Sequence, residues 1–270
     1  MEEFFGIGGY NRIPEGAYSF EHLLFVGSLL ATMIVLAVLL GNKNRFKSEK
    51  EKTKVLVWAA ILIDSFEIFK IVSMCIRAES IEPIRYELPL FLCSIQLITL
   101  PLAAFSKGRV KQAAIDFVCI FGILGAVFGT IGAAQNYNAY PVLSLDNVCS
   151  GITHSISGFA SLYIMFARFT EMKKQNLPIT LGILTAFCVM AYITNLIIDY
   201  NYMFLMSHDG TPYSIVYNVV GGHAVLYPLS VVVLFFIYIA AFYGIFFLIN
   251  RKKKEEFNEI AIEEKEKATV

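Results

Sequence analysis

The chain has 270 residues, 57% of them hydrophobic and only 16% charged, and its mean hydropathy is +0.62. A soluble domain carries about a quarter charged residues, so this chain cannot cover itself in polar surface and reads as a membrane protein. The 22 Lys and Arg cancel the 22 Asp and Glu, which gives no case for nucleic-acid binding, and the five cysteines show neither metal spacing nor an even disulfide framework.

The first twenty residues hold Glu2, Glu3 and Glu15 against Arg12 alone. That is the wrong start for a secretory signal, so the segment is expected to remain in the mature protein. Seven apolar runs then follow, at 22–40, 55–76, 88–105, 113–133, 148–166, 179–198 and 226–249. Each approaches the roughly 20 residues that cross a bilayer as a helix. The first connection carries Lys43, Arg45, Lys47, Lys50, Lys52 and Lys54, and the third carries Lys107, Arg109 and Lys111. The fifth carries Arg168, Lys173 and Lys174, and the tail Arg251 to Lys254. The fourth and sixth carry none, and in the second Arg77 and Arg85 face Glu79, Glu82 and Glu87. Cytoplasmic loops concentrate Lys and Arg. The expectation is therefore an all-α, polytopic bundle of seven transmembrane helices, N-terminus outside and C-terminus cytoplasmic. Residues 1–250 form the membrane domain and 251–270 a charged cytoplasmic tail.

That topology sorts the polar residues by depth. Pro89 suits a first helical turn, and Cys93, about six residues into the third run, falls roughly 9 Å below the outer surface. Gln96 lies a turn further on. His154 in the fifth run is about 10 Å deep on the same side, among Ser150, Ser157, Gly158 and Ser161. Lys70 is at similar depth, with Glu67 and Asp64 at successive turns below it. Asn195 and Asp199 end the sixth run and Glu21 and His22 begin the first, all on the outer side. Ionisable residues inside a span usually face the interior or a water-filled cavity. Glu67 and Lys70 read either as a self-satisfying ion pair or as the lining of a polar pocket. Cys93 reads either as a small buried hydrophobe or as a nucleophile awaiting a base. The run Gly122, Gly125, Gly129, Gly132 reads as a close-packing seam. Cys149 is a rival thiol.

Several short motifs occur together in order: Glu21-His22-Leu23-Leu24, Glu67-Ile68-Phe69-Lys70, Leu88-Pro89-Leu90-Phe91-Leu92-Cys93, the His154 helix and Asn201-Tyr202-Met203-Phe204-Leu205. Through them the chain resembles the YwaF-like bacterial integral membrane family. That family is similar to a eukaryotic seven-span acyltransferase acting on ether phospholipids, and more distantly to the androgen-induced membrane hydrolases. The resemblance implies a lipid hydrolase or acyltransferase in the cell membrane, with Cys93 as nucleophile and His154 as base. Many relatives carry histidine two residues before the cysteine, where this chain has Phe91. The implied partner is a membrane lipid whose ester carbonyl sits near the headgroup boundary, the depth inferred for both residues. Gln96, Lys70 and Asn195 are candidates to hold an oxyanion or headgroup, and no metal or organic cofactor is expected. The alternative is a small-solute transporter or binding protein with a polar cavity, in which Glu67, Lys70 and Asp199 outweigh Cys93. No internal repeat, the usual mark of a transporter, is visible.

Overall fold

A computed structural model describes residues 2–170 and 172–267, and every regular element among them is helical. A short α1 (Glu2–Phe5) precedes α2 (Phe20–Asn44), which starts where the Ser19 side chain accepts the His22 N–H. Ser48 does the same for α3 (Glu49–Arg77) through the Glu51 N–H, and a 3-10 turn follows at Glu82–Tyr86. Next come α4 (Gln96–Phe105), α5 (Gly108–Phe128) and α6 (Ala134–Ala139). Ser144 caps α7 (Leu145–Phe166), with Asp146 in the first turn, where a negative charge meets the positive end of the helix dipole. Then come α8 (Leu177–Ile198), α9 (Ser214–Val219) and α10 (Leu226–Lys267).

The third apolar run departs from expectation. Helix covers only Gln96–Phe105, ten residues and about 15 Å, while 88–95 is a folded turn. The physical reason is local. Pro89 has no N–H to give a helix. The Ser94 hydroxyl accepts the Phe91 N–H at 3.0 Å and lies 3.1 Å from the Phe91 carbonyl, offering that backbone an alternative to helix. Leu88 N–H donates sideways to the Tyr202 hydroxyl.

Among the described residues, four helices are long and apolar enough to cross a membrane: Phe20–Asn44, Gly108–Phe128, Lys174–Ile198 and Leu226–Ile249. Of the other three expected spans, α3 and α7 have the length but carry buried polar and charged residues, and α4 is short.

The bundle is built around α5. Ala113 to Gly122 are all buried, as in a helix enclosed on every side. On one side α3, α4 and α7 close a core of Leu56, Ile63, Leu100, Val118, Tyr163 and Ile164. On the other, α8, α10 and the 88–95 turn pack Ile95, Phe117, Phe121, Leu184, Tyr202 and Val231. The glycine seam does what its spacing predicts. A Cβ at Gly122 would run into the Ser157 carbonyl and Ser161, and one at Gly158 into Met33 and Ala126. At one end of the bundle the buried Asp116 accepts from Thr170, from Asn176 at 2.9 Å and from Tyr243 at 2.8 Å, tying α5 to α8 and α10.

Residues 2–18 form a strap over the opposite end. Tyr10 donates to Asp146 Oδ2 at 2.9 Å. Arg77 donates to the Tyr10 hydroxyl and the Phe5 carbonyl, both at 3.0 Å, and to Asp146 at 2.7 Å. Glu15 accepts the Val142 N–H, and Asn138 accepts the Ala17 N–H. Gly6, Gly8, Gly9 and Gly16 all have positive φ along this strap, a backbone open to glycine at little steric cost.

Candidate functional site

Beneath the strap, four elements deliver polar side chains to one region. The 88–95 turn supplies Cys93, whose carbonyl accepts the Gln96 N–H at the start of α4. Helix α3 supplies Lys70, which is 8% exposed and held between two carboxylates. Its Nζ is 2.8 Å from Glu67 Oε1 and 2.9 Å from Glu87 Oε2. The ion pair expected within α3 therefore forms, and Glu87, from the loop before the turn, joins it. Three charges summing to minus one persist at low exposure because each has a hydrogen-bonded partner.

Helix α7 supplies His154 and, one turn on, Ser157. Two glycines of α5 make room for them. At Gly125 an added Cβ would lie 3.3 Å from Cys93 Cβ and 3.8 Å from Ser157 Oγ. At Gly129 it would strike three atoms of the His154 ring, so the imidazole lies over a bare Cα. Cys93 and His154 thus meet α5 at positions one helical turn apart, where Cβ positions are about 5–6 Å from each other. No hydrogen bond joins the thiol to the ring, and neither ring nitrogen has a hydrogen-bond partner among the described residues. The Ser157 hydroxyl, on a residue 1% exposed, has no partner either. Gln96 is fully buried; its Oε1 accepts from Thr99 at 3.2 Å while its Nε2 is unpartnered. A buried polar group without a partner costs about 1–3 kcal/mol. Such groups gathered beside a thiol mark a place built to receive something.

The remaining candidates lie elsewhere or are engaged. Asn195 uses both ends of its amide on Tyr202: its Oδ1 accepts the backbone N–H at 2.7 Å and its Nδ2 donates to the carbonyl at 3.0 Å. It fastens the 199–205 loop to α8. Asp199 is exposed and closes α8 in the left-handed conformation, with φ 54° and ψ 60°. His22 is fully buried under the strap. Its Nδ1 accepts the Tyr18 N–H at 2.9 Å, which leaves the proton on Nε2, 3.4 Å from the Thr130 carbonyl. It binds α2 to the end of α5. Glu21 is exposed in the first turn of α2. Asp64 lines an open groove with Leu97, Pro101 and Leu102 between α3 and α4. Phe91 packs on Tyr202 and Phe204, with ring centroids 5.0 and 5.9 Å away. Cys149 is buried at the start of α7, and all five cysteines are unbridged. No group of three or more metal-binding side chains occurs among the described residues.

Glu87 and Ser157 were not read from the sequence as site residues. Glu87 had the look of an exposed loop charge, and Ser157 that of a small packing residue. The signal for Ser157 was its place three residues after His154, on the same helix face.

No curated protein and no solved structure matches the chain. A family profile does match, over residues 17–254, which takes in the strap's end, α2 to α9, α10 as far as residue 254 and the whole polar region described above. With that span covered, this all-helical chain belongs to the TMEM164 family of membrane proteins.

Proposed function

We propose that the protein is an intramembrane lipid hydrolase or acyltransferase of the cell membrane, using Cys93 as nucleophile and His154 as base. In the same reading α2, α3, α4 with its preceding turn, α5, α7, α8 and α10 provide seven crossings, and residues 251–270 are a cytoplasmic tail. The supporting observation is the arrangement along α5. Thiol and imidazole reach it one turn apart, and unpartnered polar groups flank them. Gly125 lies against Cys93 and Gly129 against the His154 ring, so α5 presents no side chain to either.

The resemblance to cysteine-dependent lipid acyltransferases assigns the same two residues, and the chemistry suits them. A lipid ester carbonyl entering beside Cys93 is attacked by the thiolate while His154 holds the thiol proton. The donors assigned to the tetrahedral oxyanion are the Gln96 amide, which has no other partner, and the Lys70 ammonium. Collapse expels the lipid alcohol, which takes the proton from His154 and leaves a thioester on Cys93. Water or a second lipid hydroxyl then takes the acyl group, regenerating the thiol. Lys70 acts from a fixed position, since two glutamates hold it.

Lipid ester turnover in liposomes, with expression checked in parallel, tests this. Cys93→Ala should abolish turnover and Cys93→Ser should lose most of it while folding survives. His154→Ala should lose about 10²–10⁴-fold, the usual contribution of a positioned general base. Full turnover in Cys93→Ala refutes the assignment. A transporter would show the reverse order, with Lys70→Ala and Glu67→Gln crippling and Cys93→Ala mild.

A further inference from the structure

Cys93 and His154 share no hydrogen bond, yet a base acts on its proton only within hydrogen-bond reach or through one intermediary. The group placed to intervene is Ser157. It follows His154 by three residues on α7, so the two side chains are neighbours on one face. Its Oγ lies 3.8 Å from the Cβ position of Gly125, and Cys93 Cβ lies 3.3 Å from the same point. That puts the hydroxyl within about 7 Å of Cys93 Cβ across a glycine. The hydroxyl has no partner, on a residue that is itself 1% exposed while Cys93 and His154 are half-buried. A serine hydroxyl has one proton to donate and lone pairs to accept. In a helix interior it normally donates back to the carbonyl four residues earlier, as Ser73 and Thr185 do here. Ser157 does not. The imidazole beside it is equally unpartnered.

We propose that Ser157 is the proton relay between Cys93 and His154. This rests on the assignment of Cys93 and His154 in the preceding section. The Cys93 S–H bond breaks and its proton passes to Ser157 Oγ. The Ser157 O–H bond breaks in concert and its proton passes to the free nitrogen of His154. The products are a thiolate and an imidazolium with the serine unchanged, so no further reactant is needed. Gly125 is required because a side chain there would fill the path from sulfur to hydroxyl. Gly129 lets the ring settle low enough to face Ser157.

The test is the alkylation rate of Cys93 by iodoacetamide in the purified full-length protein, read on the Cys93 peptide by mass spectrometry from pH 6 to 10. Lipid ester turnover is measured in parallel. Ser157→Ala removes an atom without a partner, so the fold should persist. It should slow alkylation near neutral pH by roughly tenfold or more and move the profile to higher pH, as His154→Ala should. The double variant should be no slower than either single one, because both interrupt one path. Ser157→Thr keeps a hydroxyl and should retain most of the rate. Wild-type alkylation in Ser157→Ala, or losses that add in the double variant, overturns the relay. If turnover needs Cys93 and His154 but not Ser157, the relay fails while the function stands. If Cys93→Ala still turns over lipid, the function itself has failed.

Discussion

Gly129 and Gly122 differ in what a single methyl would do, though both lie on the same stripe of α5. At Gly129 the obstacle is the His154 ring, which can rotate away. Gly129→Ala should therefore cost only about 1–3 kcal/mol, the usual range for overpacking. It should still suppress lipid turnover as strongly as His154→Ala, since the imidazole is displaced. At Gly122 the obstacle includes the Ser157 carbonyl, part of the α7 backbone, which cannot rotate. Gly122→Ala should separate α5 from α7 and lower the yield of folded protein in detergent, as size-exclusion chromatography would show. A Gly129→Ala enzyme with wild-type turnover would show that the ring does not need its bare seat. The seam was legible for Gly122, Gly125 and Gly129, whose spacings of three and four line one side of a helix, but Gly132 falls in the turn beyond α5 and lies against Phe128 of α5 itself. Which side chains they seat was not legible, because a sequence shows where side chains are missing but not what fills the space.

The turn at 88–95 is the element that hydropathy alone misreads. Its residues are as apolar as those of α4, so a window average runs straight through it. What breaks the helix is one proline and one serine hydroxyl competing for backbone groups, and neither alters the average. Ser94→Ala removes the competitor and should loosen the turn by about 1 kcal/mol, the net value of a typical hydrogen bond. The readout is hydrogen exchange of the Phe91 amide, which Ser94 alone holds. Unchanged protection would mean that the burial of Leu90 and Ile95 fixes the turn without it. The strap offers a second test, through pH. Burial, reinforced by the Asp146 charge, pushes the Tyr10 phenol from its ordinary 10 up to about 12. The folded state thus favours the neutral phenol. The stability this gives is complete below about pH 10 and is lost as pH rises through about 12. Wild type and Tyr10→Phe should differ in thermal stability by a constant amount from pH 6 to 9, and the difference should shrink above pH 10.

At the scale of the whole molecule, charge and hydropathy predicted an all-helical membrane protein, and the structure is all-helical with four helices fit to cross a membrane. The three expected crossings outside that set, α3, α4 and α7, are those carrying the polar residues of the candidate site. A helix that presents Lys70 or His154 inward gives up hydropathy to do so, and its apolar signal weakens for that reason. The seven-crossing topology predicts that cysteines placed at Asn138 and Ser207 react with an impermeant thiol reagent in intact cells, and that one at Ser48 does not. Labelling at Ser48 alone would invert the topology. The expectation of a polar layer came from matching depths along separate spans. The partners of Asn195 and His22 were not, because both close on backbone groups of loops, whose course hydropathy does not encode.

The strap also bears on how the chain is made. Tyr10 waits for Asp146, 136 residues later, and Glu15 for Val142, 127 residues later. The strap is therefore made well before the partners that fix it. Closing so long a loop adds little further entropy per added residue, so the delay is set by the pace of synthesis and membrane insertion rather than by the chemistry of the latch. At about 5–20 residues per second, the strap spends several seconds without its partners. During that interval α7 does not yet exist, so the polar region that the strap will cover is itself incomplete. A nascent chain arrested before Asp146 should be cut by protease near Gly8 and Gly9, and one carrying α7 should be protected there.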